Sequence, residues 1–227
     1  MPNSLPSKSG AQRNMAISAI TNQRITGTST VAKNLTNFTL AGWINYTGGA
    51  TLQSFGFGSS GLNNTCIGWF PTSTRQIYFV VANGSNTNAF VAKNVTGWHH
   101  AAFTFDGSQT GNSNRIKIYF DGVNETATFS GTIPSATSNN AANEAIRIGQ
   151  DVNGNFGSGQ YAEIGAWQAI LTPEEIRALA KGMTPDKIRA QSLVLYMPLI
   201  REIQDMKSAI TLTNTNTTVA NHPRVYA

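Results

Sequence analysis

Cysteine is almost missing from this chain. Cys66 is the single one, so no intramolecular disulfide can form, and between Thr65 and Ile67-Gly68-Trp69 it reads as a small apolar residue inside a strand. Carboxylates are scarce as well, 11 in 227 residues, and they are scattered, whereas glycoside hydrolysis wants two that face each other across a sugar. The three histidines fall in no HxxxH or HExxH spacing. His99 and His100 are adjacent, and neighbours in a strand point to opposite faces, so these two cannot ligate one ion together. There is no GxSxG elbow and no glycine-rich phosphate loop followed by a helix. No apolar run reaches the roughly 18 residues of a membrane span, and the opening MPNSLPSKSGAQRN lacks the apolar core of a signal peptide, so the expected place of synthesis is a reducing cytoplasm. Positive charge is in excess, +5 overall, but thinly spread, with Lys181, Lys187, Arg189 and Arg201 the nearest thing to a cluster. Without a basic stripe interleaved with aromatics, a nucleic-acid partner is not expected.

What the chain does have is glycine, asparagine, threonine and serine around short apolar runs, the composition of many short strands joined by polar turns. The firmest pattern runs from Trp98 to Gly122. His99, Ala101, Phe103 and Phe105 alternate on one face, Ile116, Ile118 and Phe120 do the same, and both runs end in Asp-Gly. This predicts an antiparallel hairpin with a long polar connection opened by Asp106-Gly107. Further strands are expected at 17–31, 38–46, 51–57, 66–70, 76–81, 90–93, 127–129, 145–149, 160–167 and 193–199, at the close spacing of a sandwich.

At Leu171 the period changes. Thr172-Pro173-Glu174-Glu175 predicts a helix start with Thr172 as N-cap and Glu175 completing a capping box, Ile176, Leu179 and Ala180 as the apolar face, and Gly182 as the stop. A second short helix is expected at Thr184-Pro185-Asp186. The expected organisation is therefore an N-terminal arm over 1–15, one all-β domain over 16–213 with short helices near 172–192, and a C-terminal tail over 214–227.

Few residues suggest a site. Asp151, Asn153 and Asn155 alternate oxygen side chains and form a weak calcium candidate, although the bidentate Glu of an EF-hand loop is missing and Ala162 stands in its place. Glu163 is the one strand carboxylate that invites a catalytic reading; against it stands a buried acid bonded to loop backbone or paired with an Arg such as Arg147. Trp69, Tyr78 and Tyr161 are candidates for stacking on sugars if exposed. Lys8 and Arg13 in the arm, with Arg224 and Tyr226 in the tail, are candidate partner contacts.

The run FTLAGWINY, then WHHAAFTFDG with IKIYFDG, then IRIG, AEIGAW and LTPEEIRAL resembles the laminin-G-like branch of the concanavalin A-like lectin and glucanase superfamily, in order and spacing from about residue 36 to 181. The resemblance implies a two-sheet antiparallel jelly roll. It leaves function open, because the superfamily holds sugar binders, hydrolases, adhesion modules and virion parts. The Glu-x-Asp-x-Glu strand of its hydrolases and the acidic metal loop of its legume-type lectins have no counterpart here. The C-terminal LVLYMPLI and the following ITLTNTNTTVANHPRVY are similar to endings of laminin-G-like proteins of tailed bacteriophages. That resemblance implies a non-enzymatic virion protein, foremost a capsid decoration or cement protein. It would be made in the host cytoplasm, dock on the major capsid protein through its arms and assemble as a homo-oligomer on the particle surface. The alternative is a carbohydrate-binding module for host adhesion, on a tail fibre or head surface, with cell-surface glycans as partners.

Overall fold

A computed structural model describes residues 14–19, 22–46, 53–58, 66–70, 76–84, 86–139, 144–150, 156–200 and 203–222. Chain order begins with strands β1 (Asn14–Ala19), β2 (Arg24–Ser29), β3 (Asn37–Tyr46), β4 (Gln53–Gly58), β5 (Cys66–Phe70), β6 (Gln76–Ala82), β7 (Asn86–Ala92) and β8 (Gly97–Asp106). One helical turn, α1 (Asn112–Arg115), interrupts the polar connection before β9 (Ile116–Phe120), β10 (Val123–Glu125), β11 (Thr128–Ser130), β12 (Glu144–Ile148) and β13 (Gly159–Trp167). Helix α2 (Pro173–Ala180) and a 3-10 turn (Pro185–Lys187) precede β14 (Leu193–Met197), β15 (Leu212–Thr215) and β16 (Thr218–Asn221).

The strands form two antiparallel sheets of eight. In the first the order is β10-β9-β8-β3-β13-β1-β16, with β14 also paired to β13; in the second it is β11-β7-β6-β5-β4-β12-β2-β15. The alternation read from the sequence supplies the facing layers: Phe38, Leu40, Phe103, Phe105, Ile116 and Ile118 from one sheet meet Ile25, Phe55, Phe57, Ile77, Phe79 and Ile146 from the other, all buried. Phe79 stacks on Phe103 across the interface, with centroids 5.1 Å apart. Burying each such side chain contributes roughly 1.5–3 kcal/mol, and this layer is the main source of stability. Strand β7 begins at Asn86, earlier than the expected 90–93, because Asn86 and Asn88 pair with Ala82 and Val80 although they are not β-formers.

The first sheet is covered on its outer face too. Helix α2 starts with the predicted capping box: Thr172 Oγ1 accepts from the Glu175 amide at 3.3 Å, and Glu175 Oε2 accepts from the Thr172 amide at 2.7 Å. It packs Ile176 and Leu179 with Trp167, Tyr119 and Tyr196 on that outer face. The Asp121-Gly122 turn, at φ 49° and 78°, is the two-residue hairpin that its sequence predicts. A Cβ on Gly122 would come within 3.1 Å of the α2 backbone, so the residue sets both the turn and the helix docking.

Strands β15 and β16 extend from Leu212 to Asn221, into the segment read from the sequence as a tail over 214–227. The first pairs with β2 in the second sheet and the second with β1 in the first sheet, so residues 212–221 belong to the sandwich. The Asn/Thr composition, with only Leu212, Val219 and Ala220 apolar, suggests a closing strand over this segment without fixing its bounds.

Candidate functional site

On the second sheet the alternation leaves one face outward. Ile77, Phe79 and Val81 of β6 are buried in the core, so Tyr78 lies on the opposite, outer face. Its register partner on β7 is Phe90, whose partner on β11 is Thr128; on the other side Tyr78 is paired with Trp69 of β5. The Tyr78 ring stacks on Phe90 with centroids 5.2 Å apart and 25° between planes. The phenol donates to Gln76 Oε1 at 2.6 Å, which fixes the ring's orientation. Both rings are half-buried. Beside them Asn88, two residues from Phe90, carries an Oδ1 that is shielded from solvent and has no hydrogen-bond partner.

The same face continues across β5 and β4 to β12, β2 and β15. One register row links Asn88 through Val80, Ile67 and Gly56 to Arg147, then Thr26 and Thr213. Around Arg147 the sheet surface opens into a trough of about 510 Å³ lined by Arg24, Thr26, Thr28, Gln150, Thr211 and Thr213. Arg147 Nη1 donates to Gln150 Oε1 at 3.1 Å, and the Arg24 guanidinium sits 5.5 Å from the Phe156 ring centroid. With strands spaced about 4.8 Å apart, three steps separate β6 from β12, and Tyr78 stands two residues off the Arg147 row, so the two positions are roughly 16 Å apart. The face thus joins a stacked aromatic pair to a polar trough.

The other sequence candidates lie elsewhere. Tyr161 is fully buried, paired with Ile17 and Ile44 in the core, and cannot stack on a ligand. The reason is a bulge in β13. Glu163 adopts φ 51° and the register with β3 shifts between Ala162 and Gly165, so Tyr161 faces the core while Trp167, six residues on, faces α2. An unbroken period of two would have placed both on one face. Glu163 itself is buried in that bulge, its Oε2 accepting from Tyr196 Oη at 2.6 Å, and it belongs to the first sheet, whereas Arg147 and the trough belong to the second. Asp151, Asn153, Asn155, Lys8, Arg13, Arg224 and Tyr226 lie outside the described residues. Among the described residues no group of three or more His, Cys, Asp or Glu is placed to hold a metal ion.

The two adjacent histidines do fall on opposite faces. His99 is at the sandwich rim, its Nδ1 2.8 Å from Asp121 Oδ2 and its ring stacked on Phe120. His100 points outward yet is only 2% exposed, because Trp43 covers it edge-on at 5.5 Å. His222, just beyond β16, is wedged between Trp43 and Trp98 at 5.4 and 4.4 Å. Burial pulls the His100 pKa down to about 4, against a smaller upward pull from Asp121.

The sequence names Tyr78 as a stacking candidate without assigning it a face, and it does not single out Phe90 and Asn88, whose standing beside it depends on β6–β7 register. A family model described as the concanavalin A-like lectin/glucanases superfamily matches residues 20–177. No curated protein sequence matches the chain. A Bacteroides ovatus protein named as a candidate carbohydrate binding protein is similar in structure at TM-score 0.65 and 20% identity, over 91% of this chain and 60% of that one. The heptameric SAP-like pentraxin of Limulus polyphemus is similar at TM-score 0.60 and 16% identity, over 96% of this chain and all of its own. The binding domain of botulinum neurotoxin DC, solved in complex with SialylT, gives TM-score 0.52 and 10% identity over 73% of this chain and 41% of that one. At these identities the likeness is one of fold, and the chain spans less than two thirds of the Bacteroides and toxin chains.

Proposed function

The chain belongs to the concanavalin A-like lectin/glucanases superfamily, and from that premise we propose that it is a carbohydrate-binding module whose ligand lies along the outer face of the second sheet. The observation that carries this reading is the half-buried Tyr78–Phe90 aromatic pair on that outer face, with Asn88 beside it. A pyranose offers an apolar C–H face to an aromatic ring and hydroxyls to polar groups at its edge, and this face holds an aromatic pair with the partly exposed Asn88 beside it. Binding sites commonly combine apolar or aromatic walls with a few placed polar groups. The carbohydrate-binding name of the Bacteroides protein supports the same direction.

The test is a glycan array followed by calorimetry on the best ligand, with wild type, Tyr78→Ala and Asn88→Ala. The expected result is a loss of roughly tenfold or more for Tyr78→Ala, on the scale of ring stacking plus its buried area. Binding unchanged in both variants would remove the site from this face.

The virion setting implied by the C-terminal resemblance is the finer part of the proposal: such a module displayed on a phage particle, contacting the major capsid protein through residues outside the sandwich. Among the comparisons above, the name that states a ligand class favours sugar over shell, so adhesion leads and decoration follows. Co-sedimentation with tailed-phage capsids at a fixed copy number per shell is the expected outcome for a decoration role, and its absence ends that role.

A further inference from the structure

We infer that the cleft in front of helix α2, on the outer face of the first sheet, binds the carboxylate of a small organic acid. The cleft lies on the sheet opposite the Tyr78–Phe90 pair, so this site stands or falls independently of the carbohydrate reading.

The spare hydrogen-bonding capacity of this cleft carries the inference. Its volume is about 340 Å³, and it is lined by the end of β8, the start of β9 and the segment leading into α2. Thr104 of β8 and Lys117 of β9 stand directly across from each other in the register, and Tyr119, paired with Ala102, is the next outward residue on β9. Thr104 and Tyr119 are each only 3% exposed, yet among the described residues neither hydroxyl has a hydrogen-bond partner, and neither is sealed from solvent. Both therefore open onto the cleft that they line. The exposed Lys117 ammonium beside them has no ion pair or hydrogen bond among the described residues either. Burial, and then the charge of Glu174, raise the Tyr119 pKa, so the phenol stays protonated and donates. The acidic group on the same wall is already spent: Asp106 Oδ1 accepts from the Ser108 amide and hydroxyl at 3.1 and 2.6 Å, and its Oδ2 accepts from Gln109 Nε2 at 3.1 Å. Arg115 donates through Nε and Nη1 to the carbonyls of Gln109 and Ile133, neutral partners that leave its charge uncompensated. What remains on offer is two hydroxyl donors and an ammonium, with a second cation close by. A carboxylate, which only accepts, answers those donors through charge-assisted hydrogen bonds. Ile170, Leu171 and Pro173 add an apolar wall for a short hydrocarbon body, and the volume suits a small molecule.

The experiment titrates the full chain with benzoate, with benzamide as its uncharged counterpart of the same shape, and with inorganic phosphate, read by calorimetry and by backbone amide NMR shifts. Thr104→Val and Tyr119→Phe each remove one hydroxyl while keeping the side chain's shape, Lys117→Gln removes the ammonium, Glu174→Gln removes the opposing charge, and Lys181→Gln, at the far end of α2, controls for overall charge. The expected result is benzoate binding at about 1 mM or tighter and roughly tenfold or more above benzamide, with the shifting amides on β8, β9 and the start of α2. Each of the first three variants should weaken benzoate by roughly threefold to tenfold, the cost of one lost donor. Glu174→Gln should tighten it, and Lys181→Gln should leave it unchanged. No benzoate binding, equal binding of benzoate and benzamide, or shifts confined to another part of the chain overturns the inference. Benzoate binding that survives both Thr104→Val and Tyr119→Phe overturns it as well, and so does a preference for phosphate over benzoate. Circular dichroism separates a lost site from a lost fold, and the exposed Lys117→Gln together with Thr104→Val carries the test if Tyr119→Phe fails to fold. Benzoate binding in a protein whose glycan array is blank removes only the carbohydrate reading; glycan binding without benzoate binding removes only this site.

Discussion

Acid should destabilise this protein through one identifiable side chain. His100 is almost fully enclosed beneath Trp43, its Nδ1 has no hydrogen-bond partner, and its pKa is about 4 against 6.5 for a free histidine. In the unfolded chain the imidazole takes up a proton as the pH falls through about 6.5, whereas in the folded protein it stays neutral until about 4. Above that window the group has no effect; within it the unfolded state binds more protons and stability falls with pH; below about 4 both states are charged and the loss is complete. The gap of about 2.5 units, at roughly 1.36 kcal/mol per unit, corresponds to a loss of about 3 kcal/mol. That is a large share of the 5–15 kcal/mol or so by which a typical domain is stable. Urea unfolding of wild type and His100→Phe at intervals from pH 7.5 to 4 is the assay, because titrations of the carboxylates are common to both proteins and cancel in the difference. The stability of His100→Phe relative to wild type should rise by about 3 kcal/mol on going from pH 7 to pH 4, whatever its offset at neutral pH. Parallel curves for the two proteins, or an NMR titration of His100 near 6.5, would refute the reasoning.

Two smaller changes probe the helix and the bulge. Thr172→Ala removes the side-chain half of the capping box and should cost about 1 kcal/mol in urea unfolding, while glycan binding, on the opposite sheet, stays the same. Glu163→Gln keeps a carbonyl acceptor for the Tyr196 phenol and should fold normally with unchanged binding; Glu163→Ala leaves that phenol without its acceptor and should cost about 1–3 kcal/mol. A drop in glycan affinity with Glu163→Gln would place the site on the wrong sheet.

The core of the sandwich could be read from the chain because period-two alternation and turn chemistry are local signals. The hairpin of Phe103, Phe105, Ile116 and Ile118 and the capping box of Thr172 and Glu175 needed nothing beyond their own neighbourhoods. What escaped depended on contacts distant in sequence. That His100 is enclosed escaped because alternation says which face a side chain takes, not whether Trp43 and His222 will roof that face. Tyr161 was misplaced as a platform because the QYAEIGAW pattern carries no sign of the bulge at Glu163. Half of the candidate site was visible in Tyr78; its partners Phe90 and Asn88, and the meeting of Arg24 with Arg147, come from strand register, which the chain encodes only through the assembled sheet.

The closing strands β15 and β16, of which the first joins one sheet through β2 and the second joins the other through β1, also decide how the domain bears tension. Asn14 lies across from Asn221, and Arg24 from Thr215. A pull applied where the chain enters β1 and leaves β16 therefore acts at the same end of that strand pair and perpendicular to it. The load falls on one backbone hydrogen bond at a time, as in a zipper, instead of being shared along the strands in shear. Drag transmitted through those two points would open this seam first, while the β3–β8 ladder and the aromatic face on β6 and β7 remain whole.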